Sequence, residues 1–375
     1  MRFKLKVLVA PNSYKGSFNC TAVAEAIAVG VRKVAVLRQL ADVEIDLLPI
    51  ADGGDGTIDA IYRSVGGTLH RVNVEGPYNQ AVLAPWLEYG ELGIVEMAAA
   101  SGLSLLGGNL NPINSHTKGT GQVIRACLAA KMRNIVVCVG GSASTDGGAG
   151  VLIALGARFW KRDGDAIALG ASELAAIAGC DLREAINLVG SCYIAVAVDV
   201  SNPLLGSHGA ASIYAPQKGA SPILVRELET GLQHYADLLE MTTSRQIRNM
   251  QGTGAAGGTA FGIACGLGAE IISGFDWMSS LIGLEDRVRA ADLVITGEGQ
   301  LDDQSFYGKS IGRLTALCKQ YKRPLIAIPA IAEPNYDWHK AGLLKVECAA
   351  MPNSMATLLD ISDAAARALT DDVLN

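Results

Sequence analysis

The sequence predicts an α/β protein of two domains: a Rossmann-like parallel-sheet domain formed by both chain ends, and an inserted α/β domain between them. Three observations carry that expectation. At both ends of the chain, apolar β-branched runs alternate with stretches of helical apolar spacing, which is the grammar of βαβ units around a parallel sheet. The middle interrupts that rhythm with a series of alternating strand-like segments before it resumes. The chain has 375 residues, 50% of them hydrophobic, which is more than one compact core of about 100–200 residues needs.

Residues 4–10, KLKVLVA, read as the first strand, broken by Pro11-Asn12-Ser13. Helical apolar spacing then runs from Cys20 to Leu37. IDLLPI (45–50) is the second strand, and the glycine-rich ADGGDGT leads into a short helix ending near Gly66-Gly67. Residues 70–98 alternate as β segments punctuated by turns. GTGQVIRACLAA follows as a helix, NIVVCVGG (134–141) as a strand, DGGAGVLIALGA as a helix and YIAVAVDVSNPL (193–204) as a strand, with 217–250 helical. The C-terminal end returns to the opening rhythm. DLVITG (292–297) is a strand, GEGQLDDQSFYGKS its loop and IGRLTALCKQY a helix. PLIAIPA (324–330) and LKVECAA (344–350) are further strands, and Leu358 to Leu369 is the last helix. The expected division is 1–66 with 286–375 as one discontinuous domain and 67–285 as the insertion, with an active site in the cleft between them.

Composition narrows the function. A net charge of -6 with no long Lys/Arg block argues against a nucleic-acid partner. The eight cysteines are scattered among apolar neighbours without a CxxC pair, as expected of buried free thiols in a reducing compartment. The N-terminal MRFKLKVLVAPN reads as a strand rather than a signal peptide. No segment reaches the ~18 uninterrupted apolar residues of a membrane helix. The expectation is a cytoplasmic protein with no membrane partner, and homo-oligomer formation is left open. The five histidines show neither a triad-like pattern nor metal spacing.

Chemistry concentrates in loops that leave strands. In open α/β sheets ligands bind at the carboxyl ends of strands, where glycines let backbone N–H groups approach an anion. GGSASTDGGAG (140–150) offers two glycine pairs, the hydroxyls of Ser142, Ser144 and Thr145, and Asp146. It matches neither of the common nucleotide-loop patterns, yet suits a phosphate cradle; the alternative is a tight turn with Asp146 capping the helix. ADGGDGT (51–57) places Asp52 and Asp55 three residues apart, either to hold Mg²⁺ or to cap a helix and complement its dipole. ITGEGQLDDQSFYGKS (295–310) carries Glu298, Asp302, Asp303 and Lys309, and a solvated polar loop explains these equally well. Lys15 at the first strand's exit, Lys218 in APQKGA, Asp199 after a strand, and Ser115, Thr117 and Thr120 ahead of a helix complete the set. Several acids, lysines and anion-friendly loops together fit phosphoryl transfer, where catalysis is mostly positioning and charge neutralisation.

These loops, in this order, resemble the bacterial glycerate 2-kinase family. The resemblance rests on APNSYKGS, PIADGGDGT, NSHTKGTGQVI, GGSASTDGGAGVLIALGARF, VAVDVSNPLLG, APQKGA, GTGAAGG and ADLVITGEGQLDDQS, spanning residue 9 to about 310. It implies a two-domain α/β enzyme that transfers the γ-phosphate of ATP, with Mg²⁺, to a hydroxyl of D-glycerate, giving 2-phosphoglycerate. Carried to this sequence, it places Gly140, Gly141, Ser142, Asp146 and Glu298 with the nucleotide, and Asp55 and Asp302 with the metal. Asp199 or Asp52 would orient or deprotonate the hydroxyl, with Lys15 beside them, and Ser13, Lys218 and Thr117 would bind substrate. Three stretches depart from the family pattern. Asn12 stands where an Asp is usual, GKSIGRLTA is shortened and lacks a proline, and IAIPAIAEPN replaces a glycine turn. They leave two alternatives: a kinase for another small hydroxy acid, or a non-catalytic acid-binding or regulatory descendant.

Overall fold

The computed structural model describes residues 4–14, 17–40, 42–51, 53–306, 310–349 and 356–369. In chain order its main strands are β1 (Leu5–Val9), β2 (Val43–Leu47), β3 (Thr68–Glu75), β4 (Ala81–Tyr89), β5 (Leu92–Glu96), β6 (Asn134–Cys138), β7 (Tyr193–Val198), β8 (Glu270–Ser273), β9 (Leu293–Thr296), β10 (Leu325–Ala327) and β11 (Lys345–Val346). The chain divides into two compact units. Unit 1 takes Met1–Asp52, Asp59–Gly66 and Phe275–Asn375; unit 2 takes Gly53–Ile58 and Gly67–Gly274.

Unit 1 is built on a five-stranded sheet in the order β11-β10-β9-β1-β2, parallel throughout. The near-continuous apolar run of β1 is what burial on both faces demands. Its longest helix, α1 (Cys20–Leu37), starts where the Asn19 side chain accepts from the Ala22 N–H at 2.8 Å, satisfying one of the orphan donors of the first turn. Val23, Ile27, Val31 and Val34 recur along one face of α1 and are buried. That face meets the last helix, α2 (Leu358–Ala368), whose start is a reciprocal capping box between Thr357 and Asp360. The two helices approach so closely that a Cβ at Gly30 would lie 2.2 Å from the Ser362 carbonyl oxygen.

Unit 2 holds a six-stranded sheet in the order β8-β7-β6-β5-β4-β3. Strands β5, β6, β7 and β8 run parallel, and β3 and β4 add an antiparallel edge. This explains the two textures of the middle sequence. The hairpin strands alternate in burial, while β6 and β7 are buried runs. The registers Glu96↔Cys138, Cys138↔Ala197 and Val198↔Ser273 bring the carboxyl ends of all four parallel strands level with one another.

One helix begins later than the sequence rhythm suggests. The helix expected from Asp146 starts at Ala149, because Gly147 and Gly148 are left-handed at φ 63° and 77°. The segment Ala256, Gly257 and Gly258 is left-handed as well, so TGAAGG behaves as the loop its composition indicates. Among the described residues, no helix is long and apolar enough to cross a membrane.

Candidate active site

The strand ends of unit 2 converge on three loops. β6 runs into Gly140, whose N–H donates to the Gly53 carbonyl at 2.9 Å. The two glycine loops touch backbone to backbone there, since a Cβ on Gly140 would sit 2.6 Å from Gly54 Cα. Gly141 follows at φ 75°, and a Cβ on it would lie 3.0 Å from the Asp55 carboxylate. The next residues are pinned from both sides. The Leu103 N–H donates to the Gly141 carbonyl at 2.8 Å, and the Ala143 N–H to the Ser101 carbonyl at 3.0 Å.

Asp146 is wholly buried. Its carboxylate accepts from the Thr117 N–H at 2.9 Å, the Thr117 hydroxyl at 2.8 Å, and the N–H groups of Gly148 and Gly150, each at 3.2 Å. The Thr117 hydroxyl in turn accepts from the Val151 N–H at 3.0 Å. The structure therefore places Asp146 and Thr117 inside the loop, where their polar atoms serve each other. This arrangement supplies the donors that a buried carboxylate needs.

Lys218 is 1% exposed. Its ammonium donates to the Ser142 hydroxyl at 2.8 Å and to the Ser144 carbonyl. Burial pushes its pKa down to about 7, against the opposing pull of the Asp146 charge. Ser142 keeps 7% exposure, whereas Ser144 and Thr145 have none. The hydroxyls of Ser144 and Thr145 are buried without a hydrogen-bond partner, a loss of about 1–3 kcal/mol for each such group.

Glu96, at the end of β5, carries no motif in the sequence, yet it organises the neighbouring loop. Its carboxylate accepts from the Gly56 N–H at 3.1 Å and the Ile58 N–H at 2.9 Å. Burial raises its pKa to about 7, partly offset by those two backbone donors. An acid closing an apolar strand and followed by the small-residue helix MAAAS is the signal that could have found it. Asp55, in the same loop, is exposed and accepts from the Ser104 hydroxyl at 3.0 Å. Asp199 is exposed just past β7, close enough to Gly274 that a Cβ there would lie 2.7 Å from its carboxylate.

Ser115 and Thr120 are buried in unit 2, their hydroxyls donating to the Asn111 carbonyl at 2.6 Å and the Ser101 hydroxyl at 2.9 Å; the other candidates belong to unit 1. Glu298 is half-buried just after β9. Asp302 caps a short turn, its carboxylate accepting from the Ser305 N–H at 3.0 Å and the Ser305 hydroxyl at 3.2 Å. Asn12 donates from its amide to the Ser310 hydroxyl at 3.0 Å and accepts from the Ser13 N–H at 2.7 Å. The amide thus uses a donor that an Asp lacks, and the first-strand exit is bonded without the acid. Lys15, Asp52 and Lys309 lie outside the described residues. Among the described residues, no group of three or more His, Cys, Asp or Glu side chains could hold a metal ion.

Parallel sheets whose carboxyl ends carry glycine loops, acids and a buried lysine define an α/β enzyme of the small-molecule kinase class. The chain belongs to the glycerate kinase family, whose model matches residues 7–374. It is 37% identical to the glycerate 2-kinase of Escherichia coli (strain K12), over 86% of this chain and 84% of that protein. It is also 37% identical to the glycerate kinase of Halalkalibacterium halodurans, over 88% of this chain and 87% of that one. Among solved structures it resembles a protein from Salmonella typhimurium LT2 named as a glycerate kinase 2, at 34% identity and a TM-score of 0.81, covering 98% and 96% of the two chains.

Proposed function

We propose that the chain transfers the γ-phosphoryl group of ATP to the C2 hydroxyl of D-glycerate, giving 2-phosphoglycerate and ADP. The observation that carries this reading is the alignment of Glu96, Gly140–Ser142 and Asp199 at the level carboxyl ends of adjacent parallel strands in unit 2. In the proposed reaction the glycerate oxygen attacks the γ-phosphorus as the bond to ADP breaks. Asp199 accepts the hydroxyl proton, being an accessible carboxylate at a strand end; such a base must come within about 3 Å of the hydroxyl in the productive complex. Gly140, Gly141 and Ser142 would line the phosphates, while Asp146 and Thr117 act as positioning residues that hold the loop's shape.

Mg²⁺ held by one or two carboxylates plus nucleotide phosphates fits the exposed Asp55 beside Gly141, and it would neutralise charge on the transferred group. An all-protein metal cage does not fit the described residues. Asp302, half-buried and bonded to Ser305, keeps the metal contact that the family resemblance implies. Asp52, Lys15, Ser13 and Glu298 keep the roles that the family resemblance implies, as base or orienting acid, cation, substrate contact and nucleotide contact. A cytoplasmic location accords with the composition.

A coupled ADP-release assay with ATP, Mg²⁺ and D-glycerate, followed by ³¹P NMR of the product, tests the reading. A phosphorus resonance split into a doublet by the single C2 proton is expected. A triplet would move the product to C3. A folded, ATP-binding protein without turnover on D-glycerate would overturn the reading in favour of another hydroxy acid or a non-catalytic role.

A further inference from the structure

Lys218 presents a puzzle if it is only a strut. A buried cation is costly, and an apolar side chain of the same length would tie the turn Pro216–Lys218 to the 140–146 loop without that cost. Both hydrogen-bond partners given above, the Ser142 hydroxyl and the Ser144 carbonyl, are neutral. The nearby Asp146 carboxylate has its four donors from Thr117, Gly148 and Gly150. The Asp146 charge lies near enough to act on the ammonium, but the direct hydrogen bonds from the ammonium go to Ser142 and Ser144.

Of the two partners of that ammonium, Ser142 is the one that keeps some exposure. Its backbone is fixed by the flanking bonds from Leu103 and Ala143, and its hydroxyl oxygen already accepts from Lys218. The hydroxyl proton is then directed to another acceptor, and a hydroxyl polarised by a bonded ammonium donates most strongly to an anion. Of the three hydroxyl-bearing residues of the loop, only Ser142 keeps any exposure. We infer that Lys218 is a positioning residue acting through Ser142: it orients and polarises the Ser142 hydroxyl as the donor to an anionic oxygen of the bound reactants. The inference rests on the kinase reading for the identity of those reactants. The oxygen belongs either to a nucleotide phosphate or to the glycerate carboxylate, and both present the same chemistry to a hydroxyl donor.

Calorimetric titration of the full chain with ATP and, separately, with D-glycerate tests this without requiring turnover. Ser142→Ala and Lys218→Met are each expected to weaken binding of the same one of the two ligands, by tenfold or more. The double variant should bind no worse than the weaker single variant, because the two residues act in series. Ser142→Thr, which keeps the hydroxyl, should restore most of the affinity. A loss confined to ATP assigns the oxygen to phosphate, and a loss confined to D-glycerate assigns it to the carboxylate. Unchanged affinities in Ser142→Ala, multiplying effects in the double variant, or a wild-type chain that binds neither ligand would overturn the relay. If Lys218→Met fails to fold, the Ala/Thr pair at Ser142 still decides it. Binding that behaves as expected with no ADP release would fail the kinase reading alone and leave the relay standing.

Discussion

The loop after β6 and the loop after β9 look alike as text, each a strand followed by glycines and acids, but they are built differently. In unit 2 the acid, Asp146, is sealed inside and takes donors from as far away in sequence as Thr117. In unit 1 the acid, Asp302, stays partly exposed and bonds only three residues on, to Ser305. The contrast teaches that composition marks a loop as special without saying which way its acid faces. Long-range partners decide that, and these partners make one loop rigid while the other is held by a local turn.

Asp146→Ala should break the comparison most severely. It strands four donors, two from Thr117 and one each from Gly148 and Gly150. A stability loss above about 3 kcal/mol is expected, read by denaturant unfolding.

The buried lysine gives the second largest effect. Lys218 is depressed from 10.5 to about 7 in the folded chain. Between those two pH values the unfolded state binds a proton that the folded state does not, so stability should rise with pH across that window. Below about 7 both states are protonated, and the cost of burying the charge is fully present. Lys218→Met should flatten the rise in melting temperature measured from pH 7 to 10. Glu96 runs the other way: its pKa is raised from 4.5 to about 7, so its contribution falls as pH climbs through that lower window.

Unit 1 also packs two of its helices closely. Gly30→Ala would drive a methyl into the Ser362 carbonyl of the facing helix. Forcing α1 and α2 apart should cost about 1–3 kcal/mol, seen as a lower melting temperature. Asp302→Ala, by contrast, removes a half-exposed turn cap and should cost about 1 kcal/mol or less in the same measurement.

Much of the fold was legible. The α/β class and the parallel sheets followed from apolar runs such as LKVLV and IVVC alternating with helical spacing, and the last helix falls at Leu358–Ala368, one residue short of the reading. Strand ends were less legible. Among the described residues, the run expected over 324–330 is a strand only at Leu325–Ala327, and that over 344–350 only at Lys345–Val346, because pairing partners rather than propensity set where a strand stops. In the site, the glycine loops were visible as composition, but the inward turn of Asp146 and Thr117 was not, since it depends on a contact 29 residues apart in sequence. Glu96 escaped altogether, as a lone acid closing an apolar strand has no motif around it.

The most direct test of the central claim is turnover of Asp199→Asn, assayed by ADP release with D-glycerate. Asp199 is exposed and the substitution is isosteric, so melting temperature and ATP affinity should stay unchanged while turnover falls by orders of magnitude. Near-normal turnover in that variant would contradict the account, removing Asp199 from the chemistry and with it the assignment of the unit 2 strand ends as the place where the proton leaves.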